Sequence, residues 1–180
     1  KLIRDFVNYL DAERLSRGQF FYNHNKIINL SELVNDMALL FRQNAHNKKI
    51  EFNIRIDEDV FIKADPYAME RIINNLIDNA IKYTHEKGSI SIILKVKAAL
   101  IYFTTTDSGI GISQTEQKHI FSPFYQISHE KRNIQGMGMG LYIVKNIIDS
   151  MGGEIHLKSR LHEGSTFTII LPQYFLRKDE

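Results

Sequence analysis

At 180 residues, with 43% hydrophobic and 24% charged side chains, the chain has the size of one domain able to bury a substantial core. It contains no cysteine, which excludes a disulfide scaffold, a thiolate zinc site and a cysteine nucleophile, and fits a reducing, cytoplasmic setting. A net charge of +2 gives no basis for a dedicated nucleic-acid binder, and no apolar run approaches the ~18 residues of a membrane span.

In chain order, Ile3, Phe6, Val7 and Leu10 have the i, i+3, i+4, i+7 spacing of a helix face, which fades into a polar linker from Arg17 to Asn29 with Gly18 as a stop. A second helix is expected with its cap near Ser31 and Leu33, Val34, Met37, Phe41 and Ala45 on one face. Residues Ile50 to Asp57 alternate strictly between apolar and polar, as a half-buried strand does, and Val60 to Ala64 is a shorter strand. Asp65-Pro66 then pairs a carboxylate N-cap with proline at the first helical position. The helix it opens carries Met69, Ile72, Ile73, Leu76, Ile77, Ala80 and Ile81 on one stripe. Strands are expected at Ser89 to Val96 and Ala99 to Thr106, close enough to be antiparallel neighbours. Ser113 and Glu116 form a capping box for a short helix toward Ile120. Leu141 to Met151 reads as a helix stopped by Gly152-Gly153, and Glu154 to Ser159 and Ser165 to Leu171 as strands around a turn at His162 to Gly164. Strands in antiparallel pairs with helices between the pairs predict an α/β two-layer sandwich: a mixed, mostly antiparallel sheet with helices on one face.

Three segments carry groups that packing does not require. Asn75, Asn79 and Lys82 lie together at the border of the Met69 helix's apolar stripe; a solvated flank is the alternative reading. Asp107-Ser108-Gly109-Ile110-Gly111-Ile112 follows a strand directly, so a carboxylate at the strand end could meet a donor while the backbone comes close. An ordinary strand-to-helix turn has the same form. Gly136-Met137-Gly138-Met139-Gly140-Leu141 opens a helix and offers backbone N–H groups and a positive dipole end to phosphate. It is not a dinucleotide fingerprint, and the chain has no Walker-type loop and no His-Arg-Asp.

In order and spacing, the helix text Asn74-Asn75-Leu76-Ile77-Asp78-Asn79-Ala80-Ile81-Lys82-Tyr83-Thr84, the Asp107 turn, Phe121-Ser122-Pro123-Phe124, the glycine loop and Gly164-Ser165-Thr166 resemble one family. They are similar to the N, G1, F, G2 and G3 boxes of the bacterial sensor histidine kinase catalytic domain. The resemblance runs from about Asn25 to Pro172 and implies the Bergerat ATP-binding fold shared with gyrase-type topoisomerases, mismatch-repair ATPases and a class of heat-shock chaperones. Residues 1–20 resemble the end of a dimerisation and phosphotransfer helix with its linker, leaving 21–180 as the catalytic domain.

The resemblance also implies roles. Asp107 would accept the adenine amino hydrogen, Gly109 and Gly111 would let the backbone approach the purine, and Ile112 and Thr166 would line its pocket. Asn79 would hold magnesium, Asn75 and Lys82 would act on the phosphates as the catalytic pair, and Tyr83 would flank the nucleotide. Phe124 to Gly140 would form the lid over ATP, contributing Phe124, Gly136, Met137, Gly138, Met139 and Gly140, with Leu141 behind; Lys131 or Arg132 would touch the γ-phosphate. Hydrolysing relatives carry a glutamate base where this chain has Asn75, which favours kinase over ATPase. None of the seven histidines stands in text like that of the family's phosphoacceptor. The implied function is binding of ATP and Mg2+ and phosphoryl transfer to a histidine on the protein's own dimerisation domain, then to a response-regulator receiver. The parent would be a homodimer, with this part cytoplasmic and an inner-membrane anchor open. A nucleotide-binding module without transfer, and a serine kinase of the anti-sigma-factor type, are the alternatives.

Overall fold

The structure, a computed structural model, describes residues 22–127 and 137–176 together with Leu10. In chain order its elements are β1 (Ile27–Asn29), α1 (Leu30–Asn47), β2 (Glu51–Ile56), β3 (Phe61–Lys63), α2 (Pro66–Tyr83), β4 (Ser89–Lys97) and β5 (Leu100–Asp107). These are followed by α3 (Gln114–Gln117), α4 (Gly140–Ser150), β6 (Glu154–Arg160) and β7 (Gly164–Pro172). The helix expected at Leu2 to Leu10 falls almost entirely outside the described residues.

A five-stranded sheet runs in the order β2-β4-β5-β7-β6, with β2 parallel to β4 and every other pair antiparallel. Helices α1, α2 and α4 cover one face. The two-layer, mixed architecture is therefore the one expected. A separate ribbon of β1 and β3 pairs antiparallel, with Ile28 opposite Ile62. The β1 strand lies in what reads as linker, because three residues are too few for an alternation to register.

Two helix starts show why the elements begin where they do. Asp65 caps α2 by accepting from the backbone N–H groups of Tyr67 and Ala68 at 2.9 and 3.2 Å, with Pro66 directly after it. The cap of α1 is Asn29, not Ser31: its Oδ1 accepts from the N–H groups of Ser31 and Glu32. The Ser31 hydroxyl is engaged elsewhere, donating to the Asp57 carbonyl at 2.7 Å and accepting from Val60 N–H at 3.0 Å. It ties the helix to the β2–β3 turn.

The apolar stripe of α2 sets the helix's rotation. Ile72, Ile73, Leu76 and Ile77 are buried together with Ile90, Ile92, Leu94, Ile101, Phe103 and Ile169 from the sheet. Full burial of such a side chain is worth about 1.5–3 kcal/mol. A one-position roll would cost more than polar contacts at the helix border return. That border is consequently aimed with little freedom. The other end of α2 is held by Lys48, whose ammonium donates to the carbonyls of Ile81 and Lys82 at 2.6 and 3.0 Å, a cation at a helix C-terminus. Among the described residues no helix is long and apolar enough to cross a membrane.

Candidate nucleotide-binding site

One cavity of about 470 Å3 lies between α2, the end of β5, the start of β7 and the start of α4. Such a volume is in the range of small-molecule and cofactor sites. Asn75, Asn79, Lys82 and Tyr83 line it from α2, Asp107, Gly111 and Ile112 from the turn after β5, and Met137, Gly138, Met139, Gly140 and Leu141 from the segment entering α4. Gly136, Lys131 and Arg132 lie outside the described residues.

Asp107 ends β5 on the core-facing side, beside Thr105, and is 9% exposed. Burial pushes its carboxyl above the usual carboxylate range; backbone hydrogen bonds from Gly109 and Ser165 oppose that shift. The Gly109 N–H donates to Oδ1 at 2.8 Å. A carboxylate kept in a partly apolar pocket, with one oxygen occupied by backbone, suits a ligand that brings a donor of its own. The turn is braced on two sides. Ile110 N–H donates to the Tyr83 carbonyl at 3.3 Å, and His162 N–H donates to the Ile110 carbonyl at 2.6 Å.

The glycines of this turn serve the protein's own packing. Gly111 has φ +66°, and a Cβ there would collide with the Arg160 carbonyl oxygen. Gly109 packs against the Tyr83 carbonyl and does not line the cavity. Both glycines thus serve close approach of the α2 end and the β6–β7 hairpin, and of the two Gly111 lines the cavity.

Thr166 is a correction. The register pairs Thr106 with Thr166, and Thr105 and Asp107 with Phe167 and Ser165. Thr166 therefore points to the opposite face of the sheet, where its hydroxyl meets that of Thr106 at 3.2 Å, while Ser165 and Phe167 line the cavity. Buried Phe167, Ile169 and Leu171 alternate along β7, and that alternation already assigns odd positions to the core. Phe124 is likewise outside the lining, 57% exposed with φ +62°.

At the other end, α4 starts from Met139, which supplies no side-chain cap. The start of this eleven-residue helix is thus uncapped, and its Gly140 and Leu141 line the cavity with Asn75, an arrangement that suits anionic oxygen. Asn75 is oriented by its own helix, its Nδ2 donating to the Arg71 carbonyl at 2.8 Å. Lys82 places Nζ 5.1 Å from the centre of the Tyr83 ring. Burial, and then the Asp78 charge, push the Tyr83 hydroxyl above its ordinary range. Sequence reasoning missed Phe41, Tyr67, Arg71, Thr105, Ser165 and Phe167 in the lining. Phe41 and Phe167 stood on apolar stripes that read only as core.

A cavity of cofactor size with a buried carboxylate, a polar helix face and an uncapped helix start is the site of this α/β sandwich. Residues 64–174 match the histidine kinase-, DNA gyrase B- and HSP90-like ATPase family, and the chain belongs to it. It is 33% identical over 178 residues to the autoinducer 2 sensor kinase/phosphatase LuxQ of Vibrio cholerae, covering 95% of this chain and 20% of that protein. It is 33% identical over 176 residues to the sensor histidine kinase ZraS of Escherichia coli, covering 97% of this chain and 37% of that one. The chain thus spans about a fifth to two fifths of these relatives' lengths. Among solved structures, the catalytic domain of histidine kinase ThkA superposes with a TM-score of 0.73 at 30% identity, covering 82% of this chain and 97% of that one. The chain is a catalytic, ATP-binding domain of the sensor histidine kinase kind.

Proposed function

We propose that this domain binds magnesium-ATP and transfers its γ-phosphoryl group to a histidine on a dimerisation helix, for onward transfer to a receiver aspartate. The observation that carries the reading is the convergence of Asn75, Asn79, Lys82 and Asp107 on one cavity with the start of α4. Asp107 accepts the adenine amino hydrogen, the one base-specific contact. The first N–H groups of α4 and the Lys82 ammonium receive phosphate oxygens. The Asn79 amide oxygen, neutral and hard, suits a magnesium ion that keeps most of its shell as phosphate and water. That ion, when bound, neutralises phosphate charge. Asn75 occupies a place where a carboxylate would activate water, and its amide cannot take up a proton; this supports transfer over hydrolysis.

In the transfer, a neutral imidazole nitrogen bonds to the γ-phosphorus as the bond to the bridging oxygen breaks. ADP leaves with that electron pair, and the imidazole loses its ring proton to solvent. Residues 1–20 are proposed as the end of the dimerisation helix, with the acceptor histidine on a separate segment. The parent works as a homodimer with this domain on the cytoplasmic side.

The test is incubation of the domain with γ-labelled ATP and a separately supplied dimerisation domain carrying the acceptor. Label should appear on that partner, survive alkali and be lost in acid. An acid-stable product would indicate a serine kinase, and rapid ATP turnover by the domain alone would overturn the transfer reading.

A further inference from the structure

The α2 face that carries Asn79 and Asn75 continues one turn further, to Arg71, at i, i+4, i+8 spacing. Arg71 is only 7% exposed and lines the same cavity. Arginine is seldom so buried unless it is paired. Its guanidinium lies 5.6 Å from the centre of the Tyr67 ring, and Nη1 donates to the Tyr67 hydroxyl at 3.2 Å. Tyr67 lines the cavity too. Both residues sit in the first turns of α2, the part anchored by Asp65.

The direction of α2 through the site gives Arg71 a place along the ligand. The helix end at Tyr83 abuts the Asp107 turn through the Ile110 N–H. At about 1.5 Å per residue, Asn79, Asn75 and Arg71 follow at roughly 6, 12 and 18 Å from that end. Asp107 and Arg71 therefore mark opposite ends of one cavity. A nucleotide seated with its base on Asp107 directs its last phosphate toward Arg71. Resting on that reading of the site, we infer that Arg71 binds the terminal phosphate of the nucleotide, with Tyr67 as the positioning residue that holds the guanidinium plane. A planar fork with fixed donors suits a phosphate that must be held while it is transferred.

The experiment is calorimetric titration of the domain with magnesium-ATP and with magnesium-ADP, in wild type and in Arg71→Gln, Arg71→Lys and Tyr67→Phe. ADP lacks the group Arg71 is inferred to hold. Arg71→Gln should weaken ATP binding about tenfold or more, the loss of a charge-assisted contact, and leave ADP binding within about twofold. Arg71→Lys should fall between the two, keeping charge without the fork. Tyr67→Phe should show a smaller loss confined to ATP. If Arg71→Gln fails to fold, the other two variants carry the same comparison. Equal weakening of ATP and ADP, or no change in either, would overturn the inference and make Arg71 a structural residue, while Asp107-dependent binding by wild type would still support the site. Failure of wild type to bind either nucleotide would overturn both.

Discussion

A Cβ on Gly140 would stand 2.5 Å from Oδ1 of Asn75, so the first residue of α4 and the central amide of α2 are in direct register. Asn75 cannot swing aside freely, because its Nδ2 is engaged with the Arg71 carbonyl. Gly140 thus permits both the helix start and the amide to face one ligand. Gly140→Ala sets a 2.5 Å clash with the held Asn75 amide against a helix-propensity gain of at most ~1 kcal/mol, so the melting temperature should fall by no more than a few degrees. Affinity for magnesium-ATP should nevertheless fall about tenfold, as the Asn75 amide and the α4 N–H groups are forced apart. A titration beside a melting curve checks both signs, and unchanged affinity would mean the two groups do not share a ligand.

Asp107 illustrates a site residue that the empty fold tolerates at a cost. Its folded pKa is raised above the unfolded value of 3.8, so its favourable contribution is present below 3.8 and is lost as pH rises through the folded value. At neutral pH the ionised side chain destabilises the ligand-free domain. Asp107→Asn should therefore raise the ligand-free melting temperature at neutral pH, and a melting curve of each protein checks the sign. The same change reverses the donor–acceptor pattern toward an adenine amino group. Preference for ATP over GTP should fall by about one to two orders of magnitude in a competition assay. A variant that keeps full preference would remove Asp107 from the base pocket.

What the sequence made legible follows from signal length. Helix α2 was plain because a seven-member apolar stripe, a cap and a proline agree. The polar border of that helix followed from its period, and with it Asn75, Asn79 and Lys82. Thr166 went astray by one residue, which in a strand exchanges faces entirely. The α1 cap went to Asn29 because Ser31 had a better use across the β2–β3 turn, a tertiary contact no local pattern encodes. Arg71 escaped notice for a related reason: on paper it is one more charge on a helix, and only the cavity shows which way it faces.

Asn79 sits half-buried at the edge of the α2 stripe and lines the cavity, so its loss should spare the core. Asn79→Ala should weaken ATP binding about tenfold or more in magnesium while shifting the melting temperature by only about 2 °C or less. Chelation of magnesium should weaken wild type to the level of the variant and leave the variant almost unaffected. Equal sensitivity of both proteins to chelation would place the ion elsewhere.

The last expectation concerns acid. His24 Nδ1 accepts the Asp65 backbone N–H at 3.2 Å, which places the ring proton on Nε2, 3.0 Å from the Ser150 hydroxyl. That hydroxyl donates in turn to the Ile147 carbonyl at 2.6 Å. The neutral ring thereby ties the entering chain to the start of α2 and the end of α4, the two helices that frame the cavity. Tyr22 packs its ring 6.1 Å from the imidazole, and Asp65 is the facing charge. Burial pushes the His24 pKa below its ordinary 6.5, and the Asp65 charge opposes this without reversing it. As pH falls through 6.5 the unfolded chain takes up this proton first, so the contribution is complete above that value and is lost as pH falls through the folded value. His24→Ala should lower the melting temperature at about pH 8 by roughly 2–4 °C, since about 1 kcal/mol of hydrogen bonding is removed. As pH falls below 6.5 the difference from wild type should shrink, because the unfolded chain takes up a proton that the folded ring resists. Melting curves of both proteins across that range decide the matter: parallel curves would mean that His24 does not titrate between folded and unfolded states.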